Sequence, residues 1–159
     1  GRVGRLLITL YLVSKGILTK PTLYLSDFFE KNKTLYYDNL TRVRANNDLT
    51  QWILFFLEGV RETSENSVQT FRSIIKLKES CEHKIISLGK KSKTAQELLK
   101  ILYRRPIVDI PGLEKKLSIN RTGASRLVDD FMRLGILNEL TGFKRNRVFG
   151  FSEYIDLFK

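Results

Sequence analysis

The placement of prolines, glycines and capping residues between positions 94 and 159 constrains the fold more than any other feature of this chain. Residues 94–104 put Ala95, Leu98, Leu99 and Leu102 on one helical face, and Pro106 ends that helix. Ile107-Val108-Asp109-Ile110 reads as a short extended piece. Pro111 suits a first helical turn, where its fixed φ and missing N–H are tolerated, so a short helix runs to Leu117. Ser118-Ile119-Asn120 is a tight turn, and Asn120 is placed to cap a helix over residues 121–134 that Gly135 ends. Residues 136–140 and 147–151 are strand-like. Thr141-Gly142 and the basic residues Lys144, Arg145 and Arg147 join them as a hairpin. A last short helix covers 152–158. Helix, short strand, helix, turn, helix and basic hairpin is the order of a winged helix-turn-helix.

The first half reads as helices alone. Leu6, Leu7, Leu10 and Val13 keep helical spacing, Gly16 sits at a stop, and Pro21 follows. A second helix is expected from Ser26, with its hydroxyl as cap, through Phe28 and Phe29. A third spans residues 33–45 through Tyr36, Leu40 and Val43. Asn46-Asn47-Asp48 then forms a turn and a cap. The next helix carries Trp52, Ile53, Phe55, Phe56, Leu57 and Val60. It is apolar on most sides and is therefore expected to be buried. Residues 62–88 are helical but more polar, with Val68, Phe71, Ile74 or Ile75, Leu77, Cys81, Ile85 and Leu88 as the apolar positions. That segment is expected to bridge the two parts or to pack on a partner. Gly89 and Lys90-Lys91-Ser92-Lys93 read as a C-cap and linker. The expected class is thus mostly α, with a helical part over 1–89 and a winged helix-turn-helix with its small β-hairpin over 90–159.

Charge narrows the partners. The 159 residues, enough for one ordinary domain or two small ones, carry a net charge of +11 at a pI of about 9.9. This balance favours nucleic acid, nucleotides or acidic protein surfaces. Residues 90–159 hold 15 Lys/Arg against 8 Asp/Glu, a denser excess than in the first part. One cysteine, Cys81, excludes an internal disulfide and suits a reducing, cytoplasmic compartment. One histidine, His83, excludes a His-pair metal site, and one Cys with one His cannot build a zinc cluster. The apolar runs at 6–13 and 52–57 are too short to span a bilayer, so no membrane partner is expected.

The chain opens on Gly1-Arg2-Val3-Gly4-Arg5, directly before the first apolar helix. Two glycines permit a tight turn and close approach to a ligand. Two arginines in a first helical turn can fork onto phosphate oxygens, helped by unpaired N–H groups there. With no initiator Met and no loop upstream, the chain is expected to be the C-terminal part of a larger protein. Pro21-Thr22-Leu23-Tyr24-Leu25-Ser26-Asp27-Phe28-Phe29 follows. Then come Asn32, Tyr36-Tyr37-Asp38-Asn39-Leu40, Val43-Arg44, Trp52-Ile53 and Phe55-Phe56-Leu57. These blocks, in this order, strongly resemble the Fic family (filamentation induced by cyclic AMP), most of whose members are adenylyltransferases. The family motif is H-P-F-x-(D/E)-G-N-G-R-x-x-R, and this chain matches only its tail, from the second glycine. The resemblance covers residues 1 to about 60.

What the resemblance implies is specific. The parent protein would transfer AMP from ATP, with Mg2+, to a hydroxyl of a target protein. Gly1 and Gly4 would belong to the phosphate-binding turn. Arg2 and Arg5 would pair with the phosphate chain, and Tyr36 and Tyr37 would line the adenine pocket. Cationic clamps suit in-line attack on phosphorus. Two adjacent tyrosines on a helix equally suit a split between core and surface. The motif's histidine and acidic residue are absent, so the chain itself is expected to be inactive and to hold ATP poorly. No segment matches an inhibitory helix; Ser64-Glu65-Asn66 has a similar composition at the wrong spacing.

A second reading, from a different class, makes the chain a DNA-binding regulator with the Fic-like part as scaffold. In the helix over 121–134, Ala124, Leu127, Val128, Phe131 and Leu134 are expected in the core. Arg121, Thr122 and Ser125 would reach base edges, and Arg126 a phosphate. Lys144, Arg145 and Arg147 would contact phosphate or the minor groove. Asp129 and Asp130 on the same helix are expected to repel a phosphate backbone. Winged helices also serve protein contact, so DNA binding, protein contact and plain packing all stay open. A first helix with an uncovered apolar face is further expected to drive self-association, making a homo-oligomer a candidate state.

Overall fold

The computed structural model describes residues 2–18, 25–143 and 145–158, with the side chains of Arg2 and Arg5 outside the described set. Gly1, Lys144 and the Pro21-Thr22-Leu23-Tyr24 block therefore lie outside it as well. The chain is mostly helical, carries one three-stranded antiparallel sheet, and divides into two units, residues 1–69 and 70–159. The division falls inside a helix rather than at residue 89. The reason is packing: Leu77, Cys81 and Ile85 of that helix are buried in the core of the second unit. No described helix is long and apolar enough to cross a membrane.

The first unit holds α1 (Arg2–Ser14), α2 (Leu25–Lys31), α3 (Lys33–Asn46) and the start of α4 (Leu49–Ile86). Ser26 lies inside α2 and does not cap it; the helix already begins at Leu25, and Asp27 pairs with Lys31 at 2.8 Å. Asn47 adopts the left-handed conformation at φ 51°, which Asn tolerates, and its N–H reaches Val43 O. Asp48 then accepts the N–H of Gln51 at 3.4 Å, so the turn and cap at 46–48 form from local chemistry.

This unit buries little. Leu25, Phe28 and Phe29 are its buried hydrophobic residues among those described, wrapped by Ile8, Leu12, Leu18, Tyr36, Phe55, Phe56 and Val60. Trp52, Phe55 and Phe56 are half-buried, and Ile53, Leu54 and Leu57 are exposed, so the start of α4 is not the buried helix its composition suggested. In α1 the inward residues are Ile8 and Leu12, while Leu6, Leu7 and Leu10 face outward. The helices expected before and after residue 62 are one continuous helix of 38 residues, because no proline or cap interrupts the hydrogen-bond ladder.

The second unit takes the rest of α4, a single 3-10 turn at Gly89–Lys91, α5 (Ser92–Arg104), β1 (Ile107–Asp109), α6 (Ile110–Leu117), α7 (Arg121–Arg133), β2 (Asn138–Glu139), β3 (Val148–Gly150) and α8 (Ser152–Asp156). Gly89, at φ 56°, turns the chain directly into α5, so the expected linker is a tight corner. The sheet runs in the order β1-β3-β2, pairing Val108 with Phe149 and Glu139 with Phe149 on opposite sides of the central strand. The strand expected over 136–140 shortens to two residues because Ile136 and Leu137 turn into the core instead. Ala124, Leu127, Val128 and Phe131 of α7 are buried as their spacing requires, whereas Leu134 at the helix end is half-buried. Phe131, Phe149 and Phe151 are fully buried with Leu98, Leu102 and Leu113, each burial contributing roughly 1.5–3 kcal/mol.

Candidate nucleic-acid interface

Two side-chain caps set the helices that frame the site. Asp109 accepts the N–H of Gly112 at 3.0 Å, starting α6 with Pro111 in its first turn. Asn120 accepts the N–H of Gly123 at 2.8 Å, starting α7. The first two turns of α7 therefore present Arg121 and Ser125 beside the start of α6. On the hairpin, Asn146 takes a left-handed conformation at φ 54°, between Arg145 and Arg147.

These pieces meet around one cavity of about 240 Å³. Ile110, Pro111 and Phe149 form its apolar walls, and Arg121, Ser125, Arg145, Asn146 and Arg147 supply its polar lining. Four of the residues proposed from sequence for DNA contact thus converge: Arg121, Ser125, Arg145 and Arg147. Thr122 and Arg126 are exposed on α7 but do not line the cavity. Lys144 lies outside the described residues. Asn146, which also lines the cavity, carries no signal in the sequence, because its place depends on the folded hairpin.

The three arginines are not equivalent. Arg147 donates from Nη2 to Glu139 Oε2 at 2.5 Å and lies over the Phe149 ring, 5.0 Å from its centroid. The hydrogen bond from Arg147 holds the Glu139 carboxyl below its usual range. The same bond, with the charges of Glu139 and Asp129, raises the Arg147 guanidinium. Arg121 and Arg145 are exposed and make no ion pair among the described residues.

Asp130 is not the free surface carboxylate expected to repel a phosphate backbone. Its side chain is only 3% exposed, and it accepts from Lys91 Nζ at 2.6 Å and from Arg133. Burial alone would push its carboxyl up; the hydrogen bonds and charges of Lys91 and Arg133 outweigh that and hold it below the usual value. The charge is paired within the fold, and of the two aspartates of α7 only Asp129 is exposed.

The first unit offers less for the nucleotide reading. Tyr36 is committed to an aromatic cluster, tilted on Phe29 at 5.0 Å and edge-on to Trp52 at 5.6 Å. Tyr37 packs its edge on Tyr36 and is otherwise exposed. A Cβ added at Gly4 would meet nothing within 4 Å, so no close approach demands glycine there. Gly1 and the side chains of Arg2 and Arg5 lie outside the described set. His83 is exposed on α4. Cys81 is fully buried, and that burial pushes its thiol up, leaving it a poor nucleophile. No family model matches the chain.

Proposed function

We propose that the second unit is a winged helix-turn-helix that binds duplex DNA. The observation that carries the reading is the cavity where Arg121 and Ser125 of α7 meet Arg145 and Arg147 of the hairpin. The element order, with the β1-β3-β2 sheet, supports it. In this reading the N-terminal end of α7 enters the major groove, where Arg121 and Ser125 meet base edges. Arg145 meets a backbone phosphate, and Thr122 and Arg126, exposed along α7, flank the contact. The excess of basic residues after position 89 supplies the non-specific attraction. A reducing, cytoplasmic setting suits the one buried free thiol.

The test is binding of labelled duplex at increasing salt. Arg121→Ala and Arg145→Ala should each weaken binding, and Arg145→Ala should reduce the slope of log K against log salt by about 0.9, the value of one phosphate contact. A wild-type chain that leaves duplex unshifted at low salt rules the reading out.

From the Fic resemblance we propose separately that residues 1–60 belong to an adenylyltransferase core acting with ATP and Mg2+ on a hydroxyl of a target protein. Transfer of labelled AMP by a protein carrying the complete motif, lost on Arg2→Ala, would support this. Absence of transfer by that protein would count against it.

A further inference from the structure

Resting on the DNA-binding reading, we infer that Glu139 is a positioning residue that withholds Arg147 from phosphate, so that Arg121 and Arg145 are the cations the cavity offers. The ion pair bridges the two strands that bear the hairpin: Glu139 ends β2, and Arg147 directly precedes β3. The guanidinium is fixed three ways. Glu139 accepts its Nη2 hydrogen at 2.5 Å, the Phe149 ring lies beneath it at 5.0 Å, and the charge of Asp129 adds to the pull of Glu139.

Glu139 has its own reason to keep this partner. Its side chain is 24% exposed, and its other oxygen, Oε1, is buried with no hydrogen-bond donor among the described residues. Removing Arg147 to a phosphate would strand a carboxylate that is already half-satisfied, which is the unfavourable arrangement for a partly buried charge. Arg121 and Arg145 pay no such penalty on moving to a phosphate, since they leave no ion pair behind among the described residues. The hairpin therefore carries one committed and one available arginine. Their roles are set by a carboxylate eight residues before Arg147 in sequence.

Counterion release makes this measurable, because each phosphate neutralised adds about 0.9 to the salt slope. The full chain is titrated into a labelled mixed-sequence duplex between about 50 and about 200 mM salt, the range over which such slopes are read. Glu139→Gln removes the charge while keeping a hydrogen-bonding shape. It should steepen the slope by about 0.9 and tighten binding at the low-salt end. The double change Glu139→Gln with Arg147→Ala should lose that increment. Glu139→Ala is the second route to the same release and should steepen the slope in the same sense. An unchanged or shallower slope in the single variants overturns the inference, as does an increment that survives loss of Arg147. Loss of fold in both Glu139 variants, seen by circular dichroism, also overturns it, because the residue would then be a fold determinant. Equal slopes for wild type and Glu139→Gln leave DNA binding standing and remove this inference alone. Absence of binding by every protein removes both.

Discussion

One missing methyl group sets how closely α2 and α4 approach. A Cβ at Gly59 would lie 2.6 Å from Cδ1 and 2.8 Å from Cε1 of Phe28, inside any tolerable contact. Phe28 is one of the buried residues of a unit that buries few. Alanine would gain about 1 kcal/mol of helix propensity over glycine. Forcing the Phe28 ring aside costs about 1–3 kcal/mol, since a packed aromatic must leave its rotamer or shift its helix. Gly59→Ala is expected to destabilise the first unit by about 1 kcal/mol net. Trp52, the only tryptophan, stacks on Phe29 at 6.4 Å and reports this cluster, so urea unfolding followed by its fluorescence measures the change. A higher unfolding midpoint in the variant would contradict it. Nothing adjacent in sequence marks Gly59 for this role, because its neighbour comes from a helix some thirty positions earlier. The caps at Asp48 and Asn120 differ in kind: each bonds a backbone N–H three residues ahead, so residue type and spacing suffice to place them, whereas Asp109, which caps α6 in the same way, reads in sequence only as part of a short extended piece.

At the scale of the element, α7 combines a legible pattern with a hidden one. Ala124, Leu127, Val128 and Phe131 follow the helical period and are buried together. Asp130 falls next to that stripe, and periodicity alone treats it as a surface carboxylate. Its partner Lys91 is 39 residues away, so only the fold brings the pair together. The pairing predicts a pH response of definite sign. The folded carboxyl titrates below its ordinary value of 3.8, so its contribution is complete above that value. It is lost as pH falls through the lower folded value, when the protonated acid no longer holds Lys91 and Arg133. Asp130→Asn should be less stable than wild type at neutral pH by about 1.5–3 kcal/mol, the range for hydrogen bonds to charged groups. The two melting curves should converge in acid. Thermal melts from neutral pH down to below 3.8 check this, and a gap that stays constant with pH would refute the assignment.

At the scale of the whole molecule, the two units differ in what they cover. The second closes an extensive core around Phe131, Phe149 and Phe151. The first leaves Leu6, Leu7 and Leu10 of α1 and Ile53, Leu54 and Leu57 of α4 exposed, each at least half accessible. Exposed apolar side chains in this number favour association. Light scattering is expected to show a mass that rises with protein concentration, and Leu7→Glu with Leu10→Glu should suppress the rise. A constant monomer mass at high concentration would exclude self-association through this surface.

Local chemistry in the chain was sufficient for the caps at Asp48 and Asn120, the mostly helical class, and the nomination of Arg121, Ser125, Arg145 and Arg147, but not for the start of α2, where Ser26 lies inside the helix. Each depends on residues within a few positions of one another. Burial was decided only in three dimensions. Helical spacing in α1 and α4 says which side chains share a face, but not whether another element covers it, so Leu10 and Leu57 lie open despite their pattern. The same holds for charge: Arg147 and Arg145 look alike in the sequence, and Glu139 distinguishes them only once β2 and β3 lie side by side. Periodicity encodes direction around an axis, while cover and ion pairing depend on what distant chain segments bring to that direction.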